Sequence, residues 1–242
     1  MHSINILFPV YNEENRLEQG IRRTKEYISK ALRDVDIALT IVDNASTDKT
    51  EEIALSLAAE IPELSYIRIQ EKGVGAAFRA GVAKSAADIV GYMDIDLSTD
   101  LRALYVMKRV FEDRPEVMMV NASKQAKGSK TIGRSALRNL TSKGLTMVMK
   151  AGLGMKATDA ICGFKFFRRD FVQELIYQAD TSENGWFFII ELLIRAERSG
   201  QRIVELPVVY TEAEGGHVDV AKQTADYLKN IKKLRRTLKH GI

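Results

Sequence analysis

Residues 90 to 100 read VGYMDIDLSTD, a strand-forming apolar run that ends in two aspartates, Asp94 and Asp96. In an extended chain, residues i and i+2 share a face, so both carboxylates project the same way from the strand's exit. A pair so placed repels itself unless something positive sits between. Two carboxylates are hard oxygen ligands suited to Mg2+ or Mn2+, ions that complete their shell with water and phosphate oxygens. The chemistry predicted is metal-assisted handling of a diphosphate. Asp94 follows Gly91, Tyr92 and Met93 in a buried strand and has no capping duty there. Asp96 and Ser98 also suit a helix cap, and Asp48 with Glu51 reads as a capping box.

Such a pair needs a scaffold, and the first half of the chain supplies a regular one. INILFPV (4 to 10), DIALTIV (36 to 42), LSYIRIQ (64 to 70) and DIVGYMD (88 to 94) alternate with helical patterns, the third from about 75 to 86. This predicts an α/β fold, a parallel sheet with helices on both faces. Ligands of open parallel sheets lie beyond the carboxyl ends of the strands. Reading each strand to that end collects Pro9, Tyr11, Asn12 and Glu13, then Asp43, Asn44, Ser46 and Asp48, then Lys72, Gly73 and Gly75, and finally Asp94 and Asp96. Taken singly, Gly73 and Gly75 read as turn residues. Beyond this come a strand at 116 to 123, a Gly/Lys/Ser-rich loop at 124 to 131 and a long helical pattern from about 132 to 151. GFKFF, helices near 169 to 178 and 185 to 199, and a strand at 202 to 210 complete the pattern. No repeat or linker divides it, so one domain is expected.

Composition narrows the partners. With 242 residues and 45% hydrophobic content the chain can bury a substantial core. Its net charge of +4 suits nucleic acid, anionic lipid or phosphorylated small molecules alike. Basic and aromatic residues do not interleave as in base-stacking surfaces, so nucleic acid is not expected. The single cysteine, Cys162, excludes an intramolecular disulfide, and the longest clean apolar stretch, WFFII at 186 to 190, falls far short of the ~20 residues that span a bilayer. A cytoplasmic location is expected. Between Lys222 and Lys239, Tyr227, Ile231, Leu234 and Leu238 recur at helical spacing among seven Lys/Arg and one acid, Asp226. This basic amphipathic helix reads either as docked on the core or as lying peripherally on a membrane surface.

Taken together, FPVYNEENRL (8 to 17), IVDNASTDKT (41 to 50), EKGVGAAFRAG (71 to 81) and YMDIDLS (92 to 98) resemble the successive motifs of family 2 glycosyltransferases with the GT-A fold. DAICGFKFF (159 to 167), NGWFFIIELLIRA (184 to 196) and IVELPVVY (203 to 210) resemble its polyprenyl-phosphate branch, the dolichyl-phosphate glucosyl- and mannosyltransferases. The resemblance implies a catalytic domain over 1–218, with a nucleotide-sugar half to about 123 and an acceptor half from about 124, followed by the basic helix at 219–242. It implies that Pro9, Tyr11 and Glu13 line the nucleotide pocket, with Asn44 and Gly75 beside them, and that Asp43 binds the base or ribose. Asp94 and Asp96 match the metal and diphosphate motif, and Lys165 a basic position near the diphosphate and acceptor phosphate. Three positions depart from the pattern: Asn44 where a second aspartate is frequent, Asn121 to Lys124 in place of Gly-Ser-Arg, and Ile189 where an aspartate often precedes Glu-Leu.

The implied reaction is inverting transfer of a hexose from a nucleotide diphosphate sugar, UDP-glucose first and GDP-mannose next, to a polyprenyl phosphate. Negative charge develops on the leaving diphosphate, and a divalent cofactor, Mg2+ or Mn2+, stabilises it. A phosphate acceptor is already ionised and needs no base. A hydroxyl acceptor, on a cell-wall or capsular glycan, needs one, and Asp159 is the candidate. Lys124, Arg134, Arg138 and Lys165 are expected as a cationic clamp for the acceptor phosphate, with His217 as a further candidate over the diphosphate. Trp186 is expected in the core or beside the acceptor cleft. A homo-oligomer and a non-catalytic nucleotide-sugar or lipid-binding module stand as open alternatives.

Overall fold

The computed structural model describes residues 2–212 and 220–239. Five strands run parallel in the main sheet up to the edge of the expected pattern: β1 (Ile4–Val10), β2 (Ile37–Asn44), β3 (Leu64–Ile69), β4 (Ile89–Met93) and β5 (Val117–Ser123). Between them lie helices α1 (Leu17–Ala31), α2 (Thr50–Glu60), α3 (Val74–Lys84) and α4 (Arg102–Asp113). The short β6 (Lys130–Ile132), α5 (Ala136–Leu153), β7 (Phe164–Arg168), α6 (Arg169–Gln178), α7 (Trp186–Arg198), β8 (Arg202–Pro207), β9 (Val209–Thr211) and α8 (Val220–Lys239) follow. The seven-stranded sheet has the order β3-β2-β1-β4-β7-β5-β8, and β6 and β9 form a separate two-stranded ribbon.

The sheet is mostly parallel, as the alternation predicts, with one exception. GFKFF becomes β7, inserted antiparallel between β4 and β5, where Tyr92 faces Lys165 and Asn121 faces the same lysine from the other side. Helix α5 delivers the chain back to the sheet from the end at which β5 leaves it, so β7 enters in reverse. Gly91 makes that pairing fit, because a Cβ there would lie 2.4 Å from the Phe166 ring. The expected strand at 202 to 210 breaks after Pro207, which lacks the N–H that a continued ladder needs; Val209 to Thr211 pair instead with β6. That ribbon also takes the start of the helix expected from 132, which begins instead at Ala136, after Ser135, whose side chain caps it by accepting from Arg138 N–H.

Strand residues alternate between two cores. Ile4, Ile6, Phe8 and Val10 of β1 join Phe164 and Phe166 of β7 beneath α1, α2 and α4. Leu7, Val90, Tyr92 and Phe167 face the other way, into a core closed by α3, α5, α6, α7 and α8. Tyr227, Ile231 and Leu234 of α8 are buried there, with Leu238 packed at the margin. Of the two readings of this helix, the apolar stripe fits the one docked on the core. Ile189 is likewise a core residue of α7. Trp186 packs beside it, its ring 6.2 Å from that of Tyr92. No described helix is long and apolar enough to cross a membrane.

Candidate active site

The acidic pair sits where β4 leaves the sheet. Leu97 N–H donates to the Asp94 carbonyl, and Ser98 N–H to the Asp96 carboxylate at 2.9 Å. The turn holds Leu97 at φ 54°. Asp96 does not cap the next helix; Asp100 takes that duty, accepting from Arg102 N–H at 2.8 Å. Asp94 donates its own N–H to the Gly163 carbonyl, and that glycine is a functional residue the sequence reading missed. A Cβ on Gly163 would lie 1.7 Å from Asp94 Oδ2. The signal was present, since Gly163 lies inside the quoted DAICGFKFF block, but only tertiary contact explains it.

Burial, with the Asp96 charge second, pushes the Asp94 carboxyl up to about 7, while Lys165 and Lys124 pull it back and Glu13 adds to the rise. Among the described residues no hydrogen bond to its carboxylate offsets this rise. Two hard-oxygen donors, one starved of compensating charge, fit a divalent cation whose remaining ligands come from elsewhere. Among the described residues no third carboxylate, histidine or cysteine joins them.

A cationic side faces this pair. Lys165 is 0% exposed, donates to the Cys162 carbonyl at 2.7 Å and is pushed down to about 8 by burial. It lies beneath the site rather than at its surface. Lys124 reaches Asp159 with 2.9 Å between Nζ and Oδ2. Burial raises the Asp159 carboxyl, but the Lys124 charge and hydrogen bond and the Ile161 N–H outweigh it and hold the group below its usual range. Asp159 also accepts from Lys124 N–H at 3.2 Å. A fully buried, ion-paired carboxylate of lowered pKa is a poor proton acceptor, which argues against Asp159 as the expected general base. Glu205, also unforeseen, steadies the same segment by accepting from the Thr158 N–H at 2.8 Å and its hydroxyl at 3.1 Å.

The four residues expected as a clamp fall into two groups. Arg134 and Arg138 are both paired with Glu212, Arg134 at 3.0 Å, which leaves Lys124 and Lys165 nearest the acids. Tyr210 links the two groups, with Lys124 5.3 Å and Arg134 5.9 Å from its ring centroid. His217 lies outside the described residues.

On the other flank, Tyr11 is exposed and accepts from Lys72 Nζ at 2.8 Å, and Pro9 lies half-buried in β1 opposite Val42. Glu13 pairs with Arg16 at 2.8 Å, yet burial, with Asp96 and Asp48 adding, raises its carboxyl. Asn12 (φ 55°) and Ala45 (φ 66°) join Leu97 as left-handed residues just beyond the ends of β1, β2 and β4. Such strain costs about 1–3 kcal/mol each and clusters at functional sites. Asp48 ties the two loops, accepting from Thr50 N–H at 3.0 Å and Glu14 N–H at 3.2 Å. Glu51 does not complete the expected capping box; it bonds Arg68.

Three expected nucleotide contacts are placed below the surface. Asp43 is 0% exposed and accepts from Ser46 N–H, the Tyr66 hydroxyl and Arg68 at 2.8, 2.9 and 3.1 Å, so it positions those groups. Asn44 donates to the Val10 carbonyl at 2.6 Å and accepts from Gly73 N–H at 2.9 Å. An aspartate could do only the second. Gly75 has its N–H taken by the Asn184 carbonyl, and a Cβ there would meet Phe188 at 2.7 Å.

A mostly parallel sheet, one reversed strand between β4 and β5 and an acidic pair at the β4 exit define a GT-A glycosyltransferase fold. The chain belongs to glycosyl transferase family 2, whose model matches residues 5–176. It is 28% identical over 225 residues to glycosyltransferase AglD of Haloferax volcanii, covering 90% of this chain and only 35% of that protein's length. It is 28% identical to dolichyl-phosphate beta-glucosyltransferase ALG5A of Trichomonas vaginalis (93% of this chain, 72% of that protein). It is equally 28% identical to the undecaprenyl-phosphate mannosyltransferase of Micrococcus luteus (87% and 84%). Glucosyl-3-phosphoglycerate synthase of Mycobacterium tuberculosis, solved with Mn2+, UDP and glucosyl-3-phosphoglycerate, superposes with TM-score 0.67 at 18% identity, covering 95% of this chain and 80% of that one. That likeness speaks for the fold.

Proposed function

We propose that this chain transfers a hexose, with inversion, from a nucleotide diphosphate sugar to a polyprenyl phosphate at the cytoplasmic membrane surface, with UDP-glucose the first donor and GDP-mannose the next. The observation that carries the reading is the Asp94/Asp96 pair, whose unbalanced charge at the strand exit suits an Mg2+ or Mn2+ ion and a diphosphate. When bound, the metal supplies charge neutralisation for the departing diphosphate. Tyr11, Lys72 and Glu13 flank the nucleotide side, where Asp43 fixes Arg68 and Tyr66. Lys124, held by Asp159, and Lys165 beneath Asp94 bring positive potential to where leaving and accepting phosphates meet. The relatives that act on dolichyl or undecaprenyl phosphate support the acceptor. So does Asp159: its ion pair with Lys124 takes up the carboxylate a hydroxyl acceptor was expected to use, whereas a phosphate monoester needs no base.

Calorimetric titration of UDP-glucose and GDP-mannose, with and without Mn2+, tests the site. One donor is expected to bind in a metal-dependent way, the Asp94→Ala/Asp96→Ala variant is expected to lose it, and polyprenyl phosphate in detergent is expected to be glycosylated. Metal-independent binding unchanged in the double variant overturns the site. Faster transfer to a soluble glycan hydroxyl overturns the acceptor.

A further inference from the structure

A groove of about 520 Å³ opens between α5 and the loop that follows β5. Its lining includes Lys124, Gln125, Ser142, Lys143, Thr146 and Lys150, and no acidic residue contributes to it. Ser142 and Thr146 are buried, and Gln125 Nε2 lies 3.4 and 3.3 Å from their hydroxyl oxygens, so the floor is polar and fixed. Lys143 and Lys150 are seven residues apart on α5, about 10 Å along the axis at 1.5 Å per residue, and thus on one face. No ion pair reaches either lysine among the described residues, although the chain carries many Lys/Arg pairs elsewhere. The inner end of the groove is Lys124, which is paired with Asp159 and feels the charge of Asp94.

The outer lip differs in character. Leu140 and Met147 of α5 are each 70% exposed, and Val148 is exposed beside them. Arg138, Lys143 and Lys150 are the charged residues of the helix, which carries no acid. A cationic, hydroxyl-floored groove with an apolar rim matches one ligand chemistry, a phosphate monoester attached to an apolar chain.

We propose that this groove is the acceptor subsite, in which Lys143 and Lys150 receive the phosphate monoester on its way to Lys124 while Leu140 and Met147 support the apolar chain. The proposal deepens the functional reading above and rests on it. It assigns acceptor binding to α5 and makes the two lysines specificity-determining residues.

The test is binding without donor, so that its outcome is independent of metal and nucleotide binding. The probes are citronellyl phosphate, 3-phosphoglycerate, inorganic phosphate and vesicles of phosphatidylglycerol, each titrated against the wild type, Lys143→Glu/Lys150→Glu and Leu140→Ser/Met147→Ser. All four substituted residues are exposed, so the fold is expected to survive, which circular dichroism and Mn2+-dependent donor binding check. The charge reversal is expected to weaken citronellyl phosphate at least about tenfold, the range for hydrogen bonds to charged groups. The lip variant is expected to weaken citronellyl phosphate while leaving inorganic phosphate unchanged. Citronellyl phosphate binding within twofold of wild type in the charge reversal overturns the proposal. Equal affinity for 3-phosphoglycerate and citronellyl phosphate overturns the apolar part. Loss of vesicle binding with citronellyl phosphate retained replaces the subsite by a surface contact. If metal-dependent donor binding fails in the wild type, the functional reading falls whether or not the groove takes phosphate.

Discussion

Replacing Gly163 by alanine tests whether Asp94 works from its present position. The added Cβ would sit 1.7 Å from Oδ2, 2.1 Å from Cγ and 2.4 Å from Oδ1 of Asp94. Real Cβ atoms essentially never come closer than 3.0 Å, so Oδ2 must move by at least 1.3 Å. Because Cγ is inside the limit too, turning the carboxylate about its own axis cannot relieve the overlap. Nor can the backbone easily yield, since Asp94 N–H is bonded to the Gly163 carbonyl at 3.1 Å and the adjoining Met93 and Phe164 are paired in the sheet. The carboxylate must therefore swing away. A misplacement of about 1 Å costs on the order of 100-fold in rate. Transfer by Gly163→Ala is expected to fall by about that factor, with Mn2+ affinity reduced in an electron paramagnetic resonance titration. Gly144→Ala is the control: nothing lies within 4 Å of its added Cβ, and in a helix interior it is expected to stabilise by about 1 kcal/mol without loss of rate. A Gly163→Ala protein with rate and metal affinity within threefold of wild type would refute the reasoning.

Two further outcomes follow from named contacts. The folded Asp94 carboxyl titrates near 7 against an ordinary 3.8, so folding takes up a proton in that window and the metal-free protein is expected to lose stability as pH rises from about 4 to 7. Asp94→Asn is expected to flatten that slope and raise Tm at pH 8 by several degrees, at about 2–4 °C per kcal/mol for a chain of this size, while Mn2+ binding is lost; thermal melts across pH check it. Asn44→Asp, although it restores the residue frequent in the family, is expected to destabilise by about 1–3 kcal/mol, because a carboxylate facing the Val10 carbonyl cannot replace the amide donor; urea unfolding measures it.

Sequence alone determined the alternating half of this protein and the identity of its acidic pair. Period-two apolar runs, short connections and the strand-exit rule are local properties, and they placed Asp94, Asp96, Glu13 and Tyr11 at one edge of the sheet. The capacity of α8 to bury one face was equally legible, although the face's partner was not. Tertiary structure decided the rest, because the deciding contacts join residues far apart in the chain. The reversal of β7 puts Lys165 under Tyr92 and brings Gly163 against Asp94, 69 positions earlier in sequence. Whether a charged side chain is free or spent depends on such neighbours: Asp159 is spent on Lys124, and Arg134 and Arg138 are spent on Glu212. Lys143 and Lys150, which look unremarkable in the sequence, have no ion-pair partner among the described residues and line an open groove. Residue type fixes which chemistry is available, and only burial and pairing, set by the whole fold, fix which groups remain to perform it.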